Sequence, residues 1–224
     1  MISHNHKAIF VHIPKCGGQS IESAFLRDLG LTMANRAPLL LRPNDNPNVG
    51  PPRLAHLMAA DYLKYCYASA EMFERYYTFS VVRDPISRVV SMFNYLKIKD
   101  ISGRRIEFSR FLNEWLPKQL TGLEQRDVGN FQRAGWFVRP QYDYLVDEDG
   151  KVLLDEIFRL EELNKKFGTI QEKTNLASPL THINKSDQAF STKMLSDSER
   201  KFIQELYSKD VAFLTDYFDN QGKT

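Results

Sequence analysis

The chain has 224 residues, of which 42% are hydrophobic and 26% charged, a composition that excludes a disordered or fibrous protein and fits a globular domain with a hydrophobic core. The formal net charge is only +2, so bulk charge does not indicate nucleic acid as a partner, and any anion site must come from local clustering. The two cysteines, Cys16 and Cys66, supply neither a disulfide framework nor a multi-cysteine zinc site.

No stretch of the sequence reaches the roughly 20 consecutive apolar residues that a membrane-spanning helix needs. The first apolar run, residues 8–13, is short and contains His12. No small-residue cleavage site follows it, so it does not indicate a signal peptide. We therefore expect a cytoplasmic protein without a membrane span.

The first predicted elements are a strand, a glycine loop and a helix. Residues 8–13 are β-branched and aromatic and run into Pro14 and a pair of glycines, which is typical of a strand that enters a tight turn. From Ser20 onward, apolar residues recur at helical spacing until the chain reaches Gly30. His4 and His6 precede the strand, and we expect them in a disordered terminus.

A second strand and helix follow after a long loop. Five prolines interrupt residues 36–53, which predicts a surface loop, and a helix is expected over residues 59–73. The apolar strand 76–82 then runs into a helix, for which Asp84 is a good N-cap and Pro85 suits the first helical position.

The rest of the chain continues the alternation. The predicted elements are a helix over residues 108–116, paired short strands within 142–154, a strand over 156–160, a helix over 161–172, and a long helix over 196–218 capped by Ser196. Strands that alternate with helices predict an α/β fold whose mainly parallel sheet is flanked by helices on both faces. No repeat or linker interrupts the sequence, so we expect a single domain over residues 1–224.

The strongest local signal is the loop between the first strand and the first helix. Such a turn aims backbone N–H groups and a helix N-terminus at one point, which suits a phosphate or a sulfate. Glycines there allow a close approach of the anion, the lysine supplies a point charge and the serine a hydroxyl. The Walker A order, glycines first and Lys-Ser/Thr last, is absent. The alternative is a plain glycine turn with a solvated lysine. The segment reads His12-Ile13-Pro14-Lys15-Cys16-Gly17-Gly18-Gln19-Ser20.

A second corner of the same kind follows the strand 76–82. Arg83 offers a planar fork of donors for a phosphate, and Ser91 lies about two helical turns further on. Arg-Asp-Pro alone is a weak signal. Two strand-to-helix corners suited to anions favour a ligand with two anionic ends. The segment reads Arg83-Asp84-Pro85-Ile86-Ser87-Arg88-Val89-Val90-Ser91.

These two segments together resemble the sulfotransferases that use 3'-phosphoadenosine 5'-phosphosulfate (PAPS), in the branch of the carbohydrate O-sulfotransferases such as heparan sulfate 2-O-sulfotransferase. Weaker likenesses continue along the chain, in residues 53–60, 140–145, 159–163, 182–186 and 205–210. The resemblance implies a P-loop-like α/β fold, a cytoplasmic relative of membrane-anchored enzymes, and an acceptor hydroxyl on a glycan.

The resemblance also implies roles for individual residues. The loop from Lys15 through Cys16, Gly17, Gly18 and Gln19 to Ser20 would hold the 5'-phosphosulfate, and Arg83 with Ser91 the 3'-phosphate. Lys185 and Ser186 would close over the nucleotide. The family usually has threonine where this chain has Gln19, so we expect altered contacts there. PAPS is already activated, so no metal is required.

For chemistry, we expect Lys15 to stabilise the charge that develops on the leaving group. His56 is the candidate general base for the acceptor hydroxyl, because histidine titrates near neutral pH and the resembling enzymes use a histidine in this stretch. A histidine bonded only to backbone is the alternative. His12 is interpreted as structural, and His182 as a second candidate near the nucleotide.

Three further interpretations remain open. A buried structural role is expected for Cys16 rather than a nucleophilic one. An acceptor groove or a plain surface would equally explain one set of aromatic and basic residues: Arg126, Arg133, Trp136, Phe137 and Arg139. Finally, a nucleotide-dependent phosphotransferase and a non-catalytic nucleotide-binding module compete with the sulfotransferase hypothesis.

Overall fold

The computed structural model of the chain describes residues 1–124, 135–181 and 190–220. The strands are β1 (Ile2–Ser3), β2 (Ala8–Val11), β3 (Tyr77–Val82) and β4 (Glu156–Arg159). The helices are α1 (Gly18–Asp28), α2 (Ala59–Lys64), α3 (Ala70–Arg75), α4 (Pro85–Leu96), α5 (Phe108–Arg110), α6 (Leu116–Glu124), α7 (Gly135–Val138), α8 (Leu163–Thr174), α9 (Asp197–Leu206) and α10 (Ser208–Asn220). No helix among these described ranges is long and apolar enough to cross a membrane.

The four strands form one mixed sheet in the order β1-β2-β3-β4. β1 pairs antiparallel with β2, whereas β2 with β3 and β3 with β4 are parallel. The prediction of an α/β fold with a mainly parallel sheet is therefore confirmed. β1 was not predicted, because two residues carry no readable alternation.

The described residues form two compact units. The first holds Met1–Arg83 and residues 143–181, and therefore contains the whole sheet. The second holds residues 84–124, 135–142 and 190–220. The single domain expected over the whole chain stays a prediction.

The core of the first unit explains why β2 and β3 are central. Phe10 of β2 and Phe79 of β3 stack with ring centroids 5.0 Å apart, and Phe25 of α1 and Phe167 of α8 are buried in the same cluster. All four residues of β2 are buried although their side chains alternate between the two faces of the sheet. This burial on both sides is typical of a parallel sheet, and the parallel pairing places the carboxyl ends of β2, β3 and β4 at the same edge.

The second unit is built on aromatic packing and on two buried ionisable side chains, Arg88 and Asp210. Arg88 is only 1% exposed, and its guanidinium donates hydrogen bonds to the carbonyl oxygens of Arg139 (3.0 Å) and Phe137 (3.3 Å). The carboxylate of Asp210 accepts hydrogen bonds from the backbone N–H groups of Gln141 (3.0 Å) and Tyr142 (2.9 Å). Burial raises the pKa of Asp210, and the charge of Arg88 opposes that rise. Arg88, although part of the Arg-Asp-Pro segment, is thus a structural anchor.

Several predicted boundaries need correction. The helix expected over residues 59–73 is two short helices, because the chain turns at Cys66, which has a positive φ of 56°. The long C-terminal helix is likewise two helices, α9 and α10, that meet at Tyr207. The predicted Ser196 cap is confirmed, since its side chain accepts a hydrogen bond from the Glu199 N–H.

Other local predictions differ in detail. The helix expected over residues 108–116 runs on to Glu124 through one π-helical turn, Phe111–Trp115. The paired strands within residues 142–154 reduce to a single bridge between Val146 and Val152.

The prediction that His4 and His6 are disordered is wrong. The His6 ring is buried and bonds Ser3 Oγ (2.6 Å) and Asp28 Oδ2 (3.0 Å), and His4 bonds Tyr76. Both histidines are held by the hairpin that β1 forms with β2.

Candidate active site

The predicted anion loop lies in the first unit, between the carboxyl end of β2 and helix α1. The strand ladder ends at Val11, two residues before the predicted end. Lys15 and Gly17 both adopt left-handed backbone conformations, with φ of 69° and 79°, on either side of Cys16. Such an alternation turns consecutive backbone N–H groups toward one side of the chain and forms an anion-binding concavity.

Helix α1 adds a second favourable feature at the same point. Its N-cap is Gly17, which has no side chain to cap the first turn, and no acidic residue lies in that turn. The amide groups at a helix N-terminus carry a partial positive charge that favours an anion. The loop therefore presents an electropositive backbone surface that no carboxylate from its own first turn neutralises.

The two glycines are required by close contacts as well as by backbone geometry. A β-carbon at Gly17 would lie 2.5 Å from Leu160 Cδ1, and one at Gly18 would lie 2.1 Å from His12 Cδ2. Any side chain at position 18 would overlap the imidazole ring of His12. The loop thus packs its backbone directly against side chains from the carboxyl ends of β2 and β4.

Two cations come together beside the loop. Arg83, which directly follows β3, donates a hydrogen bond from Nη1 to the Lys15 carbonyl oxygen at 3.3 Å. Burial and the charge of Arg83 lower the pKa of the Lys15 ammonium to about 8. Placing like charges together in a half-buried position costs free energy, and a bound anion would recover that cost.

Two histidines and a glutamate form a compact group behind the loop. His12 Nδ1 and Glu22 Oε1 lie 2.6 Å apart, and both side chains are buried. His56 Nδ1 lies 2.9 Å from the carbonyl oxygen of His12, and the two imidazole ring centroids are 4.4 Å apart. This group joins β2, α1 and the short 3-10 turn Leu54–His56.

The partners fix which nitrogens carry hydrogen. A carbonyl oxygen only accepts, so Nδ1 of His56 is the donor, and the neutral ring bears its lone pair on Nε2. Burial and the neighbouring charge of His12 lower the pKa of His56 well below 6.5. His56 is therefore a neutral imidazole at neutral pH, the form that a general base requires.

The other predicted loop residues differ in their exposure and in their hydrogen bonds. Cys16 is buried, and its thiol lies 3.7 Å from the Pro14 carbonyl oxygen, in agreement with the structural interpretation of that residue. Gln19 is exposed, whereas Ser20 is buried and its N–H bonds the Gly17 carbonyl oxygen in the first turn of α1. Both the thiol and the N–H of Cys16 are thus engaged within the loop, since the N–H donates to the Ile13 carbonyl oxygen at 3.3 Å.

The remaining predicted residues belong to the second unit or fall outside the described ranges. Ser91 is a half-buried residue of α4 in the second unit. Trp136 in α7 and Arg139 directly after α7 belong to the same unit and are also half-buried. Five predicted residues lie outside the described ranges: Arg126, Arg133, His182, Lys185 and Ser186. Across the ranges that are described, no group of three or more His, Cys, Asp or Glu side chains forms a metal site.

Sequence reasoning missed Glu22. It lies on the same face of α1 as Gly18 and Phe25, four and three residues away, and that face is otherwise buried and non-acidic. A carboxylate on a buried face requires a partner. The strand-end histidine ten residues earlier could have been recognised as that partner.

This loop follows a parallel strand, opens a helix and has Lys15 and Arg83 beside it, features shared by the strand-to-helix corners at which α/β proteins bind anionic groups. The family model of the sulfotransferases matches residues 1–217, and the chain therefore belongs to the sulfotransferase family. A search of the curated proteins finds no match to the chain. Membership identifies the protein as a transferase of sulfuryl groups to hydroxyl acceptors in general.

Proposed function

We propose that the protein transfers a sulfuryl group from PAPS to a hydroxyl group of a carbohydrate, with His56 as the general base. The observation that carries the proposal is the pairing of Lys15 and Arg83 at the start of α1, whose N-cap is a glycine. Two adjacent cations beside a helix N-terminus suit a donor with several anionic oxygens. The glycan acceptor and the cytoplasmic location rest on the sequence resemblance.

On the donor side, the backbone of residues 15–20 would bind the 5'-phosphosulfate, and Arg83 the 3'-phosphate. We assign Ser91 to the same phosphate, and Lys185 and Ser186 to the nucleotide, from the sequence alone. We also infer a P-loop-like arrangement with helices on both faces of the sheet. Its support is the burial of β2 on both faces and the position of the loop directly after that strand.

The transfer is an in-line displacement at sulfur. His56 Nε2 would take the proton of the acceptor hydroxyl as the new oxygen–sulfur bond forms. The bond between sulfur and the 5'-phosphate oxygen breaks, and adenosine 3',5'-bisphosphate leaves. The positive charge of Lys15 would stabilise the charge that develops on that oxygen. This route needs no metal.

Ligand binding tests the donor assignment without knowledge of the acceptor. Adenosine 3',5'-bisphosphate should raise the unfolding temperature more than adenosine 5'-phosphate or ATP with magnesium, since ligand at about 100 times its Kd adds about 2.7 kcal/mol to stability. Arg83→Ala should weaken binding of the bisphosphate far more than binding of the monophosphate. Arg75→Ala is the matched control, because Arg75 is an exposed arginine of the same unit that pairs with Glu71.

The competing functions give different results. A phosphotransferase would be stabilised preferentially by ATP with magnesium. A non-catalytic module would bind the bisphosphate but would not turn over PAPS with any acceptor, and His56→Ala would then change nothing. Equal losses for both adenosine phosphates in Arg83→Ala would overturn the assignment of Arg83 to the 3'-phosphate.

A further inference from the structure

His12 contacts both the anion loop and His56, the candidate base. Its ring packs against Gly18, so closely that a β-carbon there would lie 2.2 Å from His12 Nε2. Its carbonyl oxygen accepts the Nδ1 hydrogen of His56 at 2.9 Å. One residue therefore links the start of the anion loop to the candidate base.

Glu22 holds His12 in this position. Burial acts to raise the pKa of the Glu22 carboxyl, but the charge and hydrogen bond of His12, together with the charges of the N-terminus and Arg36, leave that pKa below its usual value. Glu22 is then an ionised acceptor, and Nδ1 of His12 carries the hydrogen of the 2.6 Å contact. The His12 ring also stacks on the Phe10 ring, with centroids 5.6 Å apart, so Phe10 packs against its face while Glu22 binds Nδ1 at its edge.

Stability alone does not explain a buried pair of this kind. Replacement of a buried ionic pair by apolar residues is often neutral or stabilising, because desolvation of the charged groups is costly. The neighbouring pair of His6 and Asp28 has an evident structural task, since Asp28 also accepts hydrogen bonds from the backbone of Ala177 and Ser178. The contacts of the His12–Glu22 pair lead instead to Gly18 and His56.

We propose that the His12–Glu22 pair is a positioning device that holds His56 as the Nδ1–H tautomer against the start of the anion loop. The free imidazole favours hydrogen on Nε2, so the His12 carbonyl oxygen, which accepts the Nδ1 hydrogen, shifts the balance toward the tautomer with its lone pair on Nε2. Glu22 acts through His12 and His12 acts on His56. Neither is a catalytic residue, and the proposal rests on the proposed role of His56 as base.

The tautomer is measured directly by nitrogen NMR of the imidazole rings, with the His56 signals assigned by comparison with His56→Ala. In the wild type, His56 should show hydrogen on Nδ1 at neutral pH. In Glu22→Gln, the Nδ1–H share of His56 should fall, because a neutral amide holds the His12 ring less firmly. Glu22→Asp, whose shorter carboxylate does not reach His12, is the second variant should the first not fold.

Asp28→Asn is the matched control. It alters the other buried histidine–carboxylate pair on the same helix, about two turns away, and should leave the His56 tautomer unchanged while it lowers stability. A His56 tautomer that stays the same in both Glu22 variants, or changes equally in Asp28→Asn, would overturn the proposal. The NMR experiment needs no substrate, so its result is valid whether or not PAPS is the donor.

A kinetic experiment distinguishes a positioning role of Glu22 from a mere loss of folded protein. Hydrolysis of PAPS by water serves as the probe reaction, because water must lose a proton as any acceptor hydroxyl does. Glu22→Gln should slow it about 10-fold or more, as changes to residues that orient a functional group commonly do, with binding of the bisphosphate unchanged. In a His56→Ala background the same substitution should cause no further loss.

The outcomes of the kinetic arm are distinguishable. If His56→Ala alone hydrolyses PAPS at the wild-type rate, the assignment of the base fails, whereas the tautomer result still decides the positioning role. If His56→Ala is slow and Glu22→Gln slows it further by the same factor, Glu22 acts independently of His56, and the positioning proposal is wrong.

Discussion

Substitution of Gly18 by alanine probes the tightest contact in the site. The new methyl group would lie 2.1 Å from His12 Cδ2, well inside van der Waals contact. The ring cannot withdraw easily, because Glu22 holds its Nδ1 and the rings of Phe10 and His56 pack against it. Either the imidazole or the first turn of α1 must move.

The magnitude follows from two opposing effects. Overpacking of a well-packed position costs about 1–3 kcal/mol. Alanine in place of a helical glycine returns at most about 1 kcal/mol, and less at the first helical position. We therefore expect Gly18→Ala to lower the free energy of unfolding by about 1–2 kcal/mol.

Gly168→Ala is the matched control. Gly168 lies in α8 of the same unit, is exposed, and has no neighbouring atom within 4 Å of the point that a β-carbon would occupy. That variant should gain about 0.4–1 kcal/mol. Urea unfolding measures the stability of both variants, through the shift of the unfolding midpoint when the slope m stays unchanged. A Gly18→Ala protein as stable as Gly168→Ala would refute the described contact between His12 and the loop.

Three further predictions concern charge. Lys15→Ala should lower PAPS turnover more than it weakens adenosine 3',5'-bisphosphate, measured by kinetics and calorimetry; normal turnover at saturating PAPS would contradict its role. The pH profile of PAPS hydrolysis should rise as His56 loses its proton well below pH 6.5 and fall as the Lys15 ammonium, with a pKa of about 8, loses its own; Lys15→Arg should lack the alkaline limb. Asp210→Asn should lose about 1–3 kcal/mol in urea unfolding, because one amide oxygen cannot replace both carboxylate oxygens toward the N–H groups of Gln141 and Tyr142, and an unchanged midpoint would show that these bonds carry no net stability.

The local signals of the sequence were sufficient for the elements around the site. Pro14 and the glycine pair form the loop that follows β2, and Asp84 caps α4 by accepting a hydrogen bond from the Ser87 N–H at 2.8 Å, as predicted. These features depend on residues close together in the chain, so their chemistry can be read directly. The same holds for Lys15 as a cation at the loop.

Features that depend on distant residues were not predicted. The partner of Glu22 follows β2 rather than α1, and the reason for glycine at position 18 is the ring of His12, six residues earlier. The depressed pKa of Lys15 depends on burial and on the charge of Arg83, which follows the neighbouring strand β3. Periodicity and motif spacing contain no information on such contacts until the register of the parallel strands is known.

Transfer from sulfur-labelled PAPS tests the central claim most directly. Wild-type protein, Lys15→Ala and the exposed control Lys64→Ala are each incubated with labelled PAPS and a panel of glycans and simpler alcohols, and both products are quantified. We predict labelled acceptor and adenosine 3',5'-bisphosphate in equal amounts for the wild type and Lys64→Ala, and a strong loss of both in Lys15→Ala. Bisphosphate binding without any turnover of PAPS, with every acceptor and with water, would contradict the proposed function.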